Sequence, residues 1–499
     1  MAWIVADSFD YYAPYQDLAH SVWDAMPGGN PGFTSGRFPG SQALNCAWGD
    51  NLLKNLSSNE PIIYITFAWI HMDSLSGSNT EVYWKLQDAG TVQCTVVMMS
   101  DGSIVLKRGS DTSSTWITQY VGAFSQSLWT HFQIKIVLSA TAGEFHVRKN
   151  GALTDSFSAT GLNTLSTANA YCNSIMFGKT SFAAGNGYVD DLLIFSASGA
   201  APNNWVGDCR GICLMPVADT ATKAFLPVPV STPTYAWGSA QLSQNWGANL
   251  AIATGTVTPA RGGLIQNVTL AMNGAVTGHM KVAFYWNDGP GGAPGTVWAT
   301  SNEVLNPVNG NNTFTFPAGT WLSQQRRYYL AILCDAAYTV QDNGYADYWT
   351  VAQPYGSGFP AGASFVHTPG GGSLRAPYWT VTLMGNCFNL GELTANGDTD
   401  YVQSANVNDE DLYQVDQLTF PPYAILGIVT HLYIRKSDAG TRQAQLRLKS
   451  GATEVGGVDT PVSSSWQYLA RVDPTDPNTG AAWTQAALNA LLIGHKVTL

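Results

Sequence analysis

QCTVVMMSDGSIVLK, residues 93–107, sets two β-rich runs, Gln93 to Met99 and Ser103 to Lys107, on either side of Asp101-Gly102. Asp-Gly is favoured in two-residue hairpins because both central positions can take positive φ, so the stretch predicts two antiparallel strands joined by a tight turn. The pattern continues in both directions. Strands are predicted at Ile62 to Met72, Glu81 to Gln87, His131 to Leu138, Glu144 to Arg148, Ala152 to Phe157 and Tyr188 to Phe195, with Asn150-Gly151 as a second tight turn. A sandwich of antiparallel sheets from about Trp3 to Ser198 follows.

The length of 499 residues exceeds a single core and favours about three domains. Charged residues make up 11%, against about 25% in ordinary soluble proteins, so Ser, Thr, Asn, Gly and aromatic side chains carry the surface. At 45% hydrophobic the chain buries a sizeable core, which excludes a disordered reading. A net charge of −11 argues against nucleic acid as a partner, since phosphate neutralisation needs clustered Lys and Arg. No apolar run reaches the roughly 18 to 20 residues that span a bilayer, and no basic-then-apolar leader is seen, so neither membrane anchoring nor signal-peptide export is expected. Seven scattered cysteines, an odd number, argue against a disulfide framework and fit assembly in a reducing cytoplasm. Cys209 and Cys213 form a lone C-x3-C without a second pair, which is a poor zinc signal.

The tail reads as a small sheet closed by a helix. Ile425 to Arg435 alternates imperfectly, Asp438-Ala-Gly440 breaks it, and Gln443 to Leu448 alternates again, which predicts an antiparallel hairpin. Thr484 is placed to cap a helix whose Ala487, Leu488, Leu491 and Leu492 share a face, with Gly494 as its stop. Between Leu226 and Cys387, five acidic residues (Asp288, Glu303, Asp335, Asp342, Asp347) meet five basic ones (Arg261, Lys281, Arg326, Arg327, Arg375), so packing rather than charge must organise that region.

Three resemblances carry functional expectations. Asn396-Gly-Asp-Thr-Asp-Tyr, then Lys436-Ser-Asp-Ala-Gly-Thr-Arg442, then Asp476-Pro-Asn-Thr-Gly-Ala-Ala-Trp-Thr484 resemble the carboxy-terminal module of tailed-bacteriophage virion proteins. Asn204 to Pro216 looks like the first strand of that module, displaced by roughly 160 residues. Phe145 to Gly151, Ile175 to Gly178 and Tyr188 to Phe195 look like the closing strands of concanavalin A-like (laminin-G-like) jelly rolls. In that family acidic residues often hold a structural calcium, which nominates Asp190 or Asp191 with Asp7 or Asp10. His279 to Trp286, Gly292 to Trp298, Asn312 to Phe316, Thr320 to Leu322 and Arg327 to Leu333 resemble a small jelly roll found in secreted and phage adhesion proteins, a shape shared by carbohydrate-binding modules. Most tryptophans there are expected in the core. Tyr345, Tyr348, Trp349, Tyr355 and Phe359 are the glycan-binding candidates, because Asp342-Asn-Gly344 and Gly356-Ser-Gly358 mark loops.

Hydrolytic chemistry has no signature here. Glycan hydrolysis needs two carboxylates about 5 to 9.5 Å apart, and no E-x-D-x-x-E occurs. Asp190 and Asp191 are neighbours and point to opposite faces of a strand, and Asp409-Glu410-Asp411 reads as a solvated turn. Gly178-Lys-Thr180 lacks the first glycine of a phosphate loop, and neither G-x-S-x-G nor H-E-x-x-H is present.

The expectation is an all-β chain of tandem antiparallel β-sandwiches (jelly rolls) with a short C-terminal helix. It is divided into a jelly roll over 1–200, the first strand of the virion module over 201–225, an inserted jelly roll over 226–387 and the rest of the module over 388–499. The expected role is a non-enzymatic structural component of a tailed-phage particle, serving assembly or decoration with other capsid or tail proteins as a homo-oligomer, assembled in the host cytoplasm. The alternative is a host-surface glycan adhesin, and a more remote one a polysaccharide depolymerase. Calcium is the one cofactor nominated.

Overall fold

The computed structural model describes residues 3–10, 12, 22–26, 32–38, 41–45, 51–77, 79–113, 115–179, 187–199, 202–228, 234–237, 242–257, 263–323, 327–345, 348–368, 375–377, 379–384, 386–390, 398–418 and 424–499. They are nearly all β, in antiparallel sheets. In the first sandwich one sheet runs in the order Phe157–Leu162, Gly143–Lys149, Thr130–Val137, Ile62–His71, Gly187–Ser196, Gln42–Asn45, Gly32–Ser35, with Trp3–Asp7 also pairing Gly187–Ser196. The facing sheet runs Asn51–Glu60, Cys172–Gly178, Thr80–Asp88, Thr91–Met99, Ile104–Arg108, Trp116–Tyr120. Alternation assigns the faces: Phe132, Ile134 and Ile136 enter the core with Phe67, Trp84 and Phe177. Phe67 and Trp84 meet across the sandwich at 4.2 Å.

The stretch around Asp101-Gly102 is a hairpin, with Met98 opposite Ile104. Its loop holds three residues, because Gly102 alone takes positive φ and the Met99 amide donates to Ser103 O at 2.9 Å. Asn150 and Gly151 both take positive φ, and the Ala152 amide donates to Lys149 O at 3.0 Å. The following strand nevertheless starts at Phe157, so the expected strand over Ala152 to Phe157 is a turn that runs on into Phe157–Leu162.

A second sandwich lies between 234 and 384. One sheet contains Thr234–Trp237, Trp379–Met384, Gly263–Met272, Tyr338–Tyr345 and Leu242–Trp246; the other contains Val297–Thr300, His279–Trp286, Tyr328–Cys334, Leu250–Val257, Tyr348–Ala352 and Val366–Thr368. Tryptophans fill its interior, Trp298 standing 4.8 Å from Trp286 and 4.6 Å from Trp321.

Strands on both sides of this sandwich in sequence share one further sheet: Pro216–Lys223, Glu410–Val415, Leu492–Val497, Gln443–Ser450, Thr453–Gly456. Leu226–Val228 pairs Tyr401–Gln403 directly. Five expectations for the tail and the strand before it are corrected. Asp409-Glu410-Asp411 is no solvated turn, because Glu410 and Asp411 open the strand Glu410–Val415 and Asp411 is fully buried, accepting from the Phe225 amide, Asn386 and Tyr413. The strand expected over Asn204 to Pro216 begins only at Pro216 and runs to Lys223. Ile428–Ile434 pairs Gln467–Asp473 instead of Gln443–Ser450, whose edges are taken by Leu492–Val497 and Thr453–Gly456. The two runs pack face to face through Leu432, Ile434, Ala444 and Leu446, so the eight-residue link is an arch between sheets. The capped helix forms, with Thr484 Oγ1 accepting from the Ala487 amide at 3.1 Å, but it ends at Asn489. Leu492 and Gly494 belong to the next strand, where a Cβ on Gly494 would overlap the Asp411 carbonyl oxygen. A second short helix, Asn386–Leu390, was not expected. Among the described residues no helix is long and apolar enough to cross a membrane, and Cys94, Cys172, Cys209 and Cys334 form no disulfide.

Candidate glycan-recognition surface

The aromatic residues nominated in the second sandwich are structural where the structure describes them. Asp342-Asn-Gly344 lies inside the strand Tyr338–Tyr345 and is no loop, and the Tyr345 side chain falls outside the described residues. Tyr348 is only 6% exposed and sits edge-on to Trp246 at 5.3 Å. Its neighbour Trp349 takes the opposite face of the strand. There Ala283, Ala331, Ala253, Trp349 and His367 stand in register across four strand pairings. Three alanines in a row leave a trough, and Phe365 and Phe359 from the segment 353–365 pack into this face with Tyr285 and Trp349.

That segment is tied down. Tyr285 donates to Pro360 O at 2.7 Å, Gln353 Nε2 to Gly358 O at 2.8 Å, and the Tyr355 amide to Asn249 Oδ1 at 3.0 Å. The Tyr355 hydroxyl donates to Glu303 at 2.8 Å, Lys281 Nζ lies 4.3 Å above its ring, and the His279 ring is 5.9 Å away. Burial, then the Glu303 hydrogen bond, hold the phenol well above its ordinary pKa. Gly356-Ser-Gly358 is a turn as expected, yet Tyr355 and Phe359 are half-buried anchors of a strap, with their faces already engaged. Asn249, Lys281, Glu303 and Asp335 complete this cluster from four separate segments, so no sequence spacing announces it.

The acidic residues nominated for calcium separate into two groups. Asp7 accepts from Tyr12 at 2.9 Å, from the Trp23 indole at 3.1 Å and from the Phe9 amide at 2.9 Å. Asp10, Asp190 and Asp191 gather elsewhere, around Arg37. Asp10 accepts the Gln42 amide at 2.7 Å, Asp190 the Arg37 and Asp191 amides at 2.7 Å each, and Asp191 the Gly211 amide at 2.8 Å. Arg37 donates to both oxygens of Asp208 at 2.6 Å and lies 3.7 Å from Asp191. Burial is the main reason that Asp10 is pushed up to about 7 and Asp191 to about 8, with the Asp190 charge adding to both. Asp191 occupies a bulge at positive φ, so it does not simply oppose Asp190 across a flat strand. Among the described residues no three His, Cys, Asp or Glu side chains are grouped to hold a metal ion.

A different aromatic residue is presented to solvent. Among the described residues Trp116 is the one exposed Trp, Tyr or Phe, at 44%. It begins Trp116–Tyr120, the edge strand of the six-stranded sheet. Met176, Lys85, Thr95, Lys107 and Trp116 stand opposite one another in successive strands, on the face away from the core. The irregularity between Leu106 and Lys107 shifts the register so that Trp116 joins this row. Lys107 Nζ lies 5.8 Å from the Trp116 ring and donates to Asp111 O at 2.6 Å, while the Asp111 carboxylate meets Lys85 Nζ at 2.7 Å. Asp111 thereby fixes a loop rich in hydroxyls, in which Ser110 and Thr112 share a hydrogen bond of 3.0 Å. An exposed indole beside fixed hydroxyls matches what a pyranose ring offers, a C–H face with hydroxyls at its rim. Nothing in the local sequence marks Trp116, because its exposure depends on being at a sheet edge.

No protein-family model and no curated protein sequence matches the chain. Among solved structures, domain 4 of AbnA, an extracellular GH43 arabinanase from Geobacillus stearothermophilus in complex with arabinotriose, is 18% identical, covers 39% of this chain and 92% of its own, and has a TM-score of 0.27. Carbohydrate binding module CBM66 from Bacillus subtilis is 7% identical over 34% of this chain and 95% of its own, at 0.23. Lectin II from Ulex europaeus is 9% identical over 39% and 99%, at 0.27. Such low scores tie this chain to none of them.

Proposed function

We propose that the chain is a non-enzymatic, glycan-recognising component exposed on a tailed-phage particle. The first sandwich, within 1–200, carries the recognition surface. The module built from 201–225 and 388–499 makes assembly contacts with other virion proteins and with copies of itself, and 226–387 is inserted into it. The tail signature around Gly397, Lys436 and Trp483 supports the particle assignment. The observation that carries glycan recognition is the exposed Trp116 indole at the edge of a β-sandwich whose other described aromatics are buried or half-buried.

Aromatic anchors of this kind contribute about 2 kcal/mol or more to recognition, so Trp116→Ala should weaken retention on a glycan array or on host cells about thirtyfold, with the thermal melt unchanged. Undiminished retention by that variant would remove Trp116 from the reading. Purified particles should contain the polypeptide, and their incubation with host polysaccharide should release no reducing ends. A particle free of the chain sinks the structural role, and released ends would restore the depolymerase alternative.

A further inference from the structure

The strand Ile428–Ile434 lies between two bodies. Val429 packs with Trp3 and Leu193 of the first sandwich, while Leu432 and Ile434 pack with Ala444 and Leu446 of the sheet that contains Gln443–Ser450. A strand held on both faces should bury its apolar side chains, as Ile62–His71 does in the first sandwich. Here the pattern is reversed. Ile428, Val429, Leu432 and Ile434 are only half-buried, and the one buried side chain is the polar Thr430, at 5% exposure.

A cavity of about 1120 Å³ with mainly apolar walls accounts for the reversal. Leu193 and Val206 line it beside the first sandwich, Val415 and Leu446 beside the other sheet, and every residue of Ile428–Ile434 contributes to its wall. It opens to solvent through apolar side chains, since Ile212, Leu226, Val407 and Leu499 all line it and are all exposed. Water gains few hydrogen-bond partners along such walls. Two buried polar atoms of lining residues, Thr430 Oγ1 and the Trp3 indole nitrogen, have no hydrogen-bond partner among the described residues. An indole N–H only donates and a hydroxyl can donate, so both call for an acceptor, and leaving them unmet is costly. Six aspartates line the cavity against four cations, Arg210, Arg435, Lys436 and Arg442, which disfavours an anionic guest.

We infer that this cavity binds a neutral long-chain acyl ester, its hydrocarbon chain along Ile428–Ile434 and its ester oxygens accepting from Thr430 Oγ1 and the Trp3 indole. The size suits it. Seven strand residues span about 20 Å, enough for the roughly 15 Å that one acyl chain occupies in half of a bilayer core, and apolar walls with a few placed polar groups are what small-molecule sites present. The site is separate from Trp116 and does not depend on the glycan reading.

The test is titration of the full chain with the neutral apolar dye N-phenyl-1-naphthylamine, then displacement by 1-monooleoylglycerol, 1-monobutyrylglycerol or oleate below their micellar concentrations. One equivalent of dye should brighten, and the oleoyl ester should displace it. The butyryl ester should be at least a hundredfold weaker, and oleate at least tenfold. Thr430→Val keeps the shape of the side chain and should weaken the oleoyl ester about fivefold, the worth of one hydrogen bond, with dye binding and the thermal melt preserved. Val429→Trp should block dye and ester together, and Thr430→Val serves if that variant fails to fold. No dye binding, or several equivalents untouched by Val429→Trp, overturns the inference. Oleate as tight as the ester, or an ester affinity unchanged in Thr430→Val, overturns it as well. Loss of dye binding as the protein associates, followed by sedimentation, would give the cavity to a second copy of the chain and also overturn it.

Discussion

Asp10→Asn should remove a defined part of the pH dependence of stability. Asp10 is 8% exposed, and its Oδ1 accepts the Gln42 amide at 2.7 Å. Burial raises its carboxyl from 3.8 to about 7, with the Asp190 charge adding to the rise. A folded-state pKa above the unfolded one means that the native state holds its proton more tightly between those values. Its contribution is therefore complete below about pH 4 and is lost as pH rises through about 7. Three pKa units at 1.36 kcal/mol each make this loss up to about 4 kcal/mol. Asparagine keeps an acceptor for Gln42 but never ionises. Urea unfolding should thus show Asp10→Asn close to the wild type at pH 4 and more stable than it at pH 8, with equal m values. A difference between the two proteins that does not change from pH 4 to pH 8 would refute the argument. Asp190 and Asp191 titrate in the same direction, and because the Asp10 charge adds to the rise of Asp191, its removal relieves that neighbour too and enlarges the gain at pH 8.

Three further outcomes are expected. Millimolar calcium should leave the melting temperature of the first sandwich within about 1 °C, because the carboxylate oxygens of Asp10, Asp190 and Asp191 already accept amides or face Arg37; a rise of several degrees in calorimetry, reversed by chelation, would establish a calcium site after all. Phe67→Ala deletes a fully buried ring that lies 4.2 Å from Trp84 and 5.7 Å from Phe132, and should cost about 3–5 kcal/mol in denaturant unfolding. Tyr355→Ala should lower the melting temperature of the second sandwich and loosen 353–365 in hydrogen exchange without changing glycan retention; lost retention with an unchanged melt would return Tyr355 to the recognition surface.

Most of the strands were legible because one-sided burial enforces a two-residue period, and Asp101-Gly102 announced a hairpin, though its loop holds three residues rather than two. Partner choice was not legible. Nothing in Ile425 to Leu448 distinguishes a hairpin from an arch, since the decision belongs to Leu492–Val497, which claims the edge of Gln443–Ser450. The packing around the nominated aromatics was hidden for a related reason. Tyr348 and Trp349 look alike in sequence, but adjacent strand positions have opposite fates, and the exposure of even the outward one depends on the alanine trough and the strap over it. The acidic residues were half legible: Asp10, Asp190 and Asp191 do converge, whereas Arg37 and Asp208, which neutralise part of the cluster, come from distant segments with no shared spacing. Trp116 needed knowledge of which strand is last in its sheet.

The pairing of Leu226–Val228 with Tyr401–Gln403 has a mechanical consequence. The chain leaves this short ribbon after Val228 and returns to it at Tyr401, two residues held opposite each other, about 5 Å apart. The intervening excursion also packs on the larger sheet that joins Pro216–Lys223 to Glu410–Val415, since Val217 and Ala218 enter the core of the second sandwich and Asp219 accepts the Asn386 and Cys387 amides at 2.9 and 2.7 Å. A pull on it therefore loads ribbon and sheet together. Because Val228 and Tyr401 stand opposite each other, a splice of a few residues would bridge the gap left by the excursion, but it would bare Val217 and Ala218 to water.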